Sequence, residues 1–377
     1  MDAMARGGQR TFAAMLDYSN PALTLDTSSV SPGSITWRSP SNLAIVKYWG
    51  KHGQQLPRNP SVSFTLNNAL TQTTLEYAPK KGADTGGVSL DFYFHDEQNE
   101  AFATRLQAFL DSLLPIFPFL GQLDLTIRSA NSFPHSAGIA SSASAMSALA
   151  LCLCSLEDEL FDTLGDDEAF DRKASYVARL GSGSAFRSVF GKAGWWGAMS
   201  EVPGSNDRYA VPMADELHEV FQHFHDDILI AGAGEKSVSS TAGHGLMDDN
   251  PYAGVRYDQA AQRLRTLLPA LQTGDVDTFG RIAEAEALTL HALMMASNPP
   301  YLLLKGPTLE IIERVQRFRR HENVPLYFSL DAGPNPHLLY PEEVIHQVRP
   351  FIESELLPFC EDGRWLTDWV GEGPEQV

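Results

Sequence analysis

Apolar and polar positions alternate with a period of two in VSFTLNN and TQTTLEYAP, between Ser61 and Pro79, and again in VSLDFYFH and LDLTIRSA. That period, with many β-branched residues, predicts strands. ITWRSPSNLAIVKYW reads as strand interrupted by a turn at its Ser-Pro. In the second half, DDILIAG, EKSVSST and VPLYFSLD read as strands or strand ends. The period lengthens to that of a helix in EAFATRLQAFLDSLLPIF, SASAMSALALCLCSLEDEL, DDEAFDRKASYVARL, GPTLEIIERVQRFRRHE and EEVIHQVRPFIES. A long helical stretch from Tyr257 to Ser297 breaks near Thr273-Gly274. Strands dominate early and helices late, with strands in both halves, so the predicted class is α+β. Residues 1–34 read as a loosely ordered leader, ending in the turn-rich SSVSPGS. A boundary at 215/216, inside a stretch of 200–225, divides the rest into domains of 35–215 and 216–377. Neither internal repeats nor low-complexity tracts occur.

The length of 377 residues and a hydrophobic share of 43% suffice for a large core and suit two domains. The formal net charge of −19 argues against nucleic acid or an anionic membrane as partner, since phosphate backbones select basic surfaces. An anionic small substrate then requires locally concentrated cations. Of the 28 basic residues only eight are Lys. Scarce Lys with excess acid suits a high-salt cytoplasm, and equally an ordinary acidic enzyme. Cys152, Cys154 and Cys360 are too few for a disulfide framework and read as buried small hydrophobes in a reducing compartment. The first twenty residues lack a signal-type apolar run, and no stretch reaches the ~20 apolar residues of a membrane span. The expectation is a cytoplasmic protein.

One segment changes the picture. SFPHSAGIASSASAMSALALCL follows a predicted strand and runs into a helix beginning at Ser141 or Ser142, with almost no bulky side chain between. Strand, small-residue loop and helix N-terminus make an anion site in outline: the first-turn N–H groups lack partners, the helix dipole is positive there, and small side chains admit a phosphate to the backbone. Close helix packing is the other reading of the same residues. The loop is not a Walker motif, having no G-x-x-x-x-G-K-[ST].

PHSAGIASSA resembles the phosphate loop of the GHMP kinase superfamily. SNLAIVKYWGKHGQQLPRNPSVSFTL, LGSGSAFRSVFGKAGWW, KSVSSTAGH, HALMMASNPPY and YFSLDAGPNPHLL, in that order, resemble the motifs of the diphosphomevalonate decarboxylases within it. The resemblance spans residues 41 to about 340. It implies a two-domain GHMP kinase fold, with a left-handed βαβ crossover in the N-terminal domain, a ferredoxin-like C-terminal domain and the active site in the cleft between them. It implies ATP-dependent decarboxylation of mevalonate 5-diphosphate to isopentenyl diphosphate, with ATP and Mg²⁺ as cofactors and a homodimer as assembly.

By the same resemblance, Asp331 in LDAGPN is the catalytic carboxylate, and Lys47 belongs to the active centre. Such chemistry needs a carboxylate to orient or accept the proton of the substrate's 3-hydroxyl and to face positive charge developing at that carbon. Arg187 matches the guanidinium that holds the substrate carboxylate, a bidentate pairing. Ser182 and Ser184 lie near the substrate, and Tyr48, Lys51 and Ser240 near its diphosphate. Asn131, Gly138, Ser141 and Ser142 carry over to ATP. No separate cage of His, Cys or carboxylates is evident for the metal, and His135, His244 and His291 receive no chemistry.

Some positions depart from the family pattern: Arg58 and Pro60 in PRNPS, His135 in the phosphate loop, Phe186 before Arg187, and LTLH from Leu288 to His291. The Asn-x-x-Arg element that some members show after the early strands is not clear here, and NEAFATR places Arg105 later. These changes bear on the substrate's phosphorylation state, so phosphomevalonate decarboxylase and mevalonate 3-kinase are the sister alternatives. A nucleotide-binding regulator without turnover is the alternative of another class, disfavoured by an intact Asp331.

Overall fold

The computed structural model describes residues 17–81, 87–133, 139–232 and 238–377. Strands and helices are mixed in the α+β manner that the two periodicities imply. The described residues form two compact units, one within 1–34, 76–93 and 98–127, the other within 35–75, 94–97 and 128–377.

In the first unit the helix Glu100–Ser112 turns Leu106 and Leu110 inward. Asn99 caps it, its side chain accepting from the Phe102 N–H at 3.0 Å. The stretch read as a leader is tied down from Asp17 onward. Leu23 is buried, and the Leu25 backbone exchanges hydrogen bonds of 2.8 and 2.9 Å with the Gln122 side chain.

The second unit contains every described candidate site residue. Its strand Gly33–Val46 runs unbroken through Ser39-Pro40, where the sequence pattern predicts a turn. The antiparallel partner Glu375–Gln376 pairs only with Trp37 and Arg38, so this edge is open at Pro40, the setting in which a strand tolerates proline. Likewise VSFTLNN and TQTTLEYAP are one strand, Ser61–Pro79. At the join, the Asp368 carboxylate accepts the N–H groups of Asn67, Asn68 and Ala69 at 2.8 to 2.9 Å, standing in for a neighbouring strand. Ser61–Phe64 pairs antiparallel with Ala193–Trp196.

A second sheet has the order Tyr327–Leu330, Pro336–Tyr340, His225–Leu229, Trp365–Leu366, all antiparallel. The helix Val276–Met295 lies close against it: a Cβ on Gly280 would overlap the Tyr327 ring. Gly274, at φ +78°, ends the preceding helix Ala253–Thr273 where the sequence predicts the break. Part of the EKSVSST segment lies outside the described residues. Its end is not strand but the start of the short helix Ser240–Gly245, because Ser239 accepts from the Ala242 N–H and turns the chain into a helix. Among the described residues no helix is long and apolar enough to cross a membrane.

Candidate active site

The strand Gly33–Val46 delivers Lys47 just past its end, with the side chain only 2% exposed. A buried ammonium needs a partner, and Lys47 Nζ has the Asp331 carboxylate at 2.9 Å. Asp331 follows the end of the strand Tyr327–Leu330 and keeps 22% of its side chain exposed. The pair is therefore buried on the lysine side and open on the carboxylate side.

Arg187 is buried in the turn Ala185–Val189 behind the glycine loop. One of its terminal nitrogens donates to Ser61 Oγ at 2.8 Å, and its Nε has no partner. Among the described residues no carboxylate lies within ion-pair distance. Burial pulls the guanidinium down to about 10, opposed by the charge of Asp331 and by Tyr48, so it remains a cation at neutral pH. A buried, under-partnered guanidinium beside an ion pair is a site for an incoming anion.

Tyr48 is buried against the Trp196 and His244 rings, with centroids 4.8 and 4.4 Å away. Burial holds its phenol well above the usual range, so it stays a neutral donor. The glycine loop closes on it, and a Cβ on Gly183 would stand 2.5 Å from the Tyr48 hydroxyl. Lys51 opens the hairpin Lys51–His52 with Leu56–Pro57 and donates to Gln55 Oε1 at 2.8 Å. Its pKa is lowered by burial. Arg179 braces this hairpin through the Gln54 carbonyl. His244 accepts the Gly50 N–H at Nδ1, 3.0 Å, which leaves its proton on Nε2.

The helix Ser141–Phe161 begins after Ala140, a left-handed residue that offers its first turn no side-chain cap. Ser142 Oγ lies 3.3 Å from Ser182 Oγ, so hydroxyls of the helix start and the glycine loop meet. Uncapped first-turn donors beside two hydroxyls fit a polyphosphate. Lys47, Tyr48, Lys51, Ser142, Ser182, Arg187, His244 and Asp331 line one pocket of about 230 Å³, together with Asn42, Thr241 and Ala332. Its side chains include three cations, Lys47, Lys51 and Arg187, against one carboxylate, Asp331. In a chain of net charge −19 this is the local basic concentration that an anionic ligand requires.

A family model described as the diphosphomevalonate decarboxylase-like N-terminal domain matches residues 39–210, and that of the mevalonate 5-diphosphate decarboxylase C-terminal domain matches 228–367. A diphosphomevalonate decarboxylase of Eremothecium gossypii is 30% identical over 319 residues, covering 80% of this chain and 76% of that one. The chain belongs to the diphosphomevalonate decarboxylase family. A relative of that name from Candida albicans is 29% identical, covering 89% of this chain and 91% of its own. Among solved structures, the mevalonate pyrophosphate decarboxylase of Streptococcus pyogenes superposes with a TM-score of 0.73 at 29% identity, covering 92% of this chain and 99% of that one. A structure described as MDDEF in complex with MVAPP, AMPPCP and magnesium gives 0.76 at 26% identity, with the same coverage. The two-domain GHMP kinase fold follows from these likenesses.

The pocket of this family member draws on both matched segments. It brings together Lys47, Tyr48, Lys51, Ser142, Ser182, Ser184, Arg187, Ser240 and Asp331. Ser141 stands beside it in the first helical turn. Asn131 is not on its wall: its Oδ1 accepts from Thr71 Oγ1 at 2.8 Å, and Thr71 in turn meets Ser144 Oγ at 2.6 Å. Gly138 and His135 lie outside the described residues. Arg58 does not reach the pocket and pairs with Asp248 at 3.3 Å on the surface. Sequence reasoning missed Asn42, whose amide donates to the Ser184 carbonyl and Ser188 Oγ at 3.1 and 2.7 Å and so braces the glycine loop. A polar Asn inside the apolar SNLAIV strand was the available signal. It also missed Ser61, the partner of Arg187, which nothing local distinguishes.

Two buried rings give this site a pH signature. Burial pushes His244 down to about 3 and His291 to about 4, from 6.5. Between those values and 6.5 the unfolded chain binds more protons, so stability falls as pH drops below 6.5. Each ring contributes at most about 2 kcal/mol of loss by pH 5. Buried Asp227 and Asp368, raised to about 7 and about 6, act in the opposite direction. The ring's share is therefore read as a difference: His244→Gln should lose less melting temperature than the wild type between pH 7 and pH 5. Parallel curves for the two would remove His244 from the acid response.

Proposed function

We propose that this chain catalyses the ATP-dependent decarboxylation of mevalonate 5-diphosphate to isopentenyl diphosphate, releasing ADP, phosphate and CO₂. The observation that carries the reading is one pocket holding the Lys47–Asp331 pair beside the under-partnered Arg187. Lys47 orients the Asp331 carboxylate, whose exposed side meets the substrate's 3-hydroxyl and takes or directs its proton during phosphoryl transfer. Arg187 holds the substrate carboxylate in line with the bond that will break. As phosphate leaves C3, Asp331 faces the developing positive charge. The electron pair of the C1–C2 bond becomes the C2–C3 double bond, and CO₂ departs. Tyr48, Lys51 and Ser240 serve the diphosphate, and Ser182 and Ser184 the body of the substrate. Ser141, Ser142 and Gly138 serve the phosphates of ATP, with Asn131 near the nucleotide.

The uncapped helix start and its hydroxyls fit a nucleotide polyphosphate with Mg²⁺. Among the described residues no group of three or more His, Cys, Asp or Glu side chains could hold a metal by itself. Bound Mg²⁺ would neutralise phosphate charge. The same reading divides the chain into domains of 35–215 and 216–377 after a leader of 1–34, and takes the protein as a cytoplasmic homodimer. Light scattering behind size exclusion should return twice the 41.4 kDa chain mass.

The direct test supplies mevalonate, its 5-phosphate and its 5-diphosphate separately, with ATP and Mg²⁺, and follows ADP and CO₂ together. Equal ADP and CO₂ from the diphosphate alone is expected. ADP without CO₂, or preference for a less phosphorylated substrate, would sink the reading. Gly183→Ala probes the diphosphate end. Its methyl must displace the Tyr48 hydroxyl, an overpacking cost of about 1–3 kcal/mol, and KM for the diphosphate should rise about tenfold. An unchanged KM would remove Tyr48 from binding.

A further inference from the structure

Lys47 and Asp331 both lie just past strand ends, where the backbone has lost its ladder partners. Backbone groups buried at such a place must be satisfied by something else. For Lys47 that something is an ion pair. Glu286 Oε2 accepts the Lys47 N–H at 2.7 Å, and Arg256 donates to the Lys47 carbonyl at 2.8 Å. Arg256 and Glu286 are themselves joined by bonds of 2.7 and 2.5 Å, both essentially without exposure, and Arg263 adds a third guanidinium bond at 2.6 Å. Asn59 also donates to the Lys47 carbonyl, at 3.1 Å. For Asp331, the carbonyl accepts from His291 Nε2 at 3.1 Å and from the Gly333 N–H at 2.7 Å. A carbonyl can only accept, so this bond fixes His291 as the Nε2–H tautomer.

Glu286 and His291 sit on one element, the helix Val276–Met295. We propose that this helix sets the geometry of the Lys47–Asp331 pair, with Glu286 and His291 as positioning residues that hold the two backbones from a single rigid support. Neither touches the reacting atoms. Glu286, a carboxylate inside the apolar pattern AEAEALTLHALMM, is placed to serve a backbone that no strand reaches. His291 stays neutral under burial and so acts as a fixed donor rather than a charge. The inference rests on the proposed role of Asp331 and Lys47, and its test keeps the two separable.

His291→Asn is too short to reach the Asp331 carbonyl, while His291→Gln can place its amide nitrogen where Nε2 stands. A catalytic group displaced by about 1 Å can cost about 10²-fold in rate. The expected result is a fall in kcat of about 30-fold for His291→Asn, within that range, with KM for ATP and for mevalonate 5-diphosphate unchanged, and recovery in His291→Gln. Glu286→Gln should give the same split between kcat and KM. His291→Leu replaces the Asn variant if that one fails to fold. Unaltered turnover in His291→Asn, or kcat and KM lost together without recovery in His291→Gln, overturns the inference. Asp331→Asn is run alongside: its inactivity with a normal His291→Asn removes only this inference, whereas its full activity removes the underlying reading.

Discussion

Asp331→Asn should lower kcat by about 10³-fold or more, with KM for ATP essentially unchanged. Removal of a general base costs about 10²–10⁴-fold, and 10³-fold corresponds to about 4 kcal/mol of transition-state stabilisation. The substitution is nearly isosteric. An amide oxygen can still accept from Lys47 Nζ, which holds the native side chain at 2.9 Å. The backbone contacts of residue 331 to His291 and Gly333 do not involve the side chain at all. What disappears is the charge and the proton acceptor facing the open part of the pocket. ADP and CO₂ should therefore decline together. ADP released at the normal rate without CO₂ would confine Asp331 to the step after phosphoryl transfer. Near-normal release of both would remove it from the mechanism.

Arg187→Lys should reduce kcat/KM for mevalonate 5-diphosphate by about 10²-fold while KM for ATP stays the same. The charge survives, but the planar fork does not. A hydrogen bond to a charged group is worth about 1.5–3 kcal/mol, or about 10–150-fold. The native guanidinium uses one terminal nitrogen on Ser61 Oγ at 2.8 Å and has others to spare. An ammonium at that depth cannot hold Ser61 and a carboxylate in the same geometry. The variant also inherits the burial that already pulls the arginine down to about 10. Since desolvation lowers a lysine more readily, activity should improve as pH is lowered toward 6.5 relative to pH 8. Turnover within threefold of wild type would mean that the substrate carboxylate is held elsewhere.

Local pattern alone determined most of the elements. The helix Ser141–Phe161 starts at one of the two serines expected, because the apolar face of AMSALALCL has nowhere else to begin. The helix break at Gly274 follows from the one residue there at ease with φ +78°. The site was legible where a motif packs several donors close together in sequence, as KYWGK and GSGSAFRS do. Those stretches are turns and strand ends, and the fold needs only to bring their tips into one pocket.

Tertiary structure decided the rest. Pro40 reads as a turn until the open edge beside it is known. Asn67 and Asn68 read as a break until Asp368, some three hundred residues later, supplies the acceptors a strand would have given. Asn131 carries over to the nucleotide by its motif, and only in space does its Oδ1 meet the Thr71 hydroxyl. His291 looks idle in the sequence and holds the backbone of Asp331 in the structure. Which ionisable groups belong to the site also needed the sequence; which of them are buried, paired or left with a free donor did not follow from it. Residue type fixes the charge and the donors a side chain can offer, whereas desolvation and partner distance depend on segments hundreds of residues apart meeting in space.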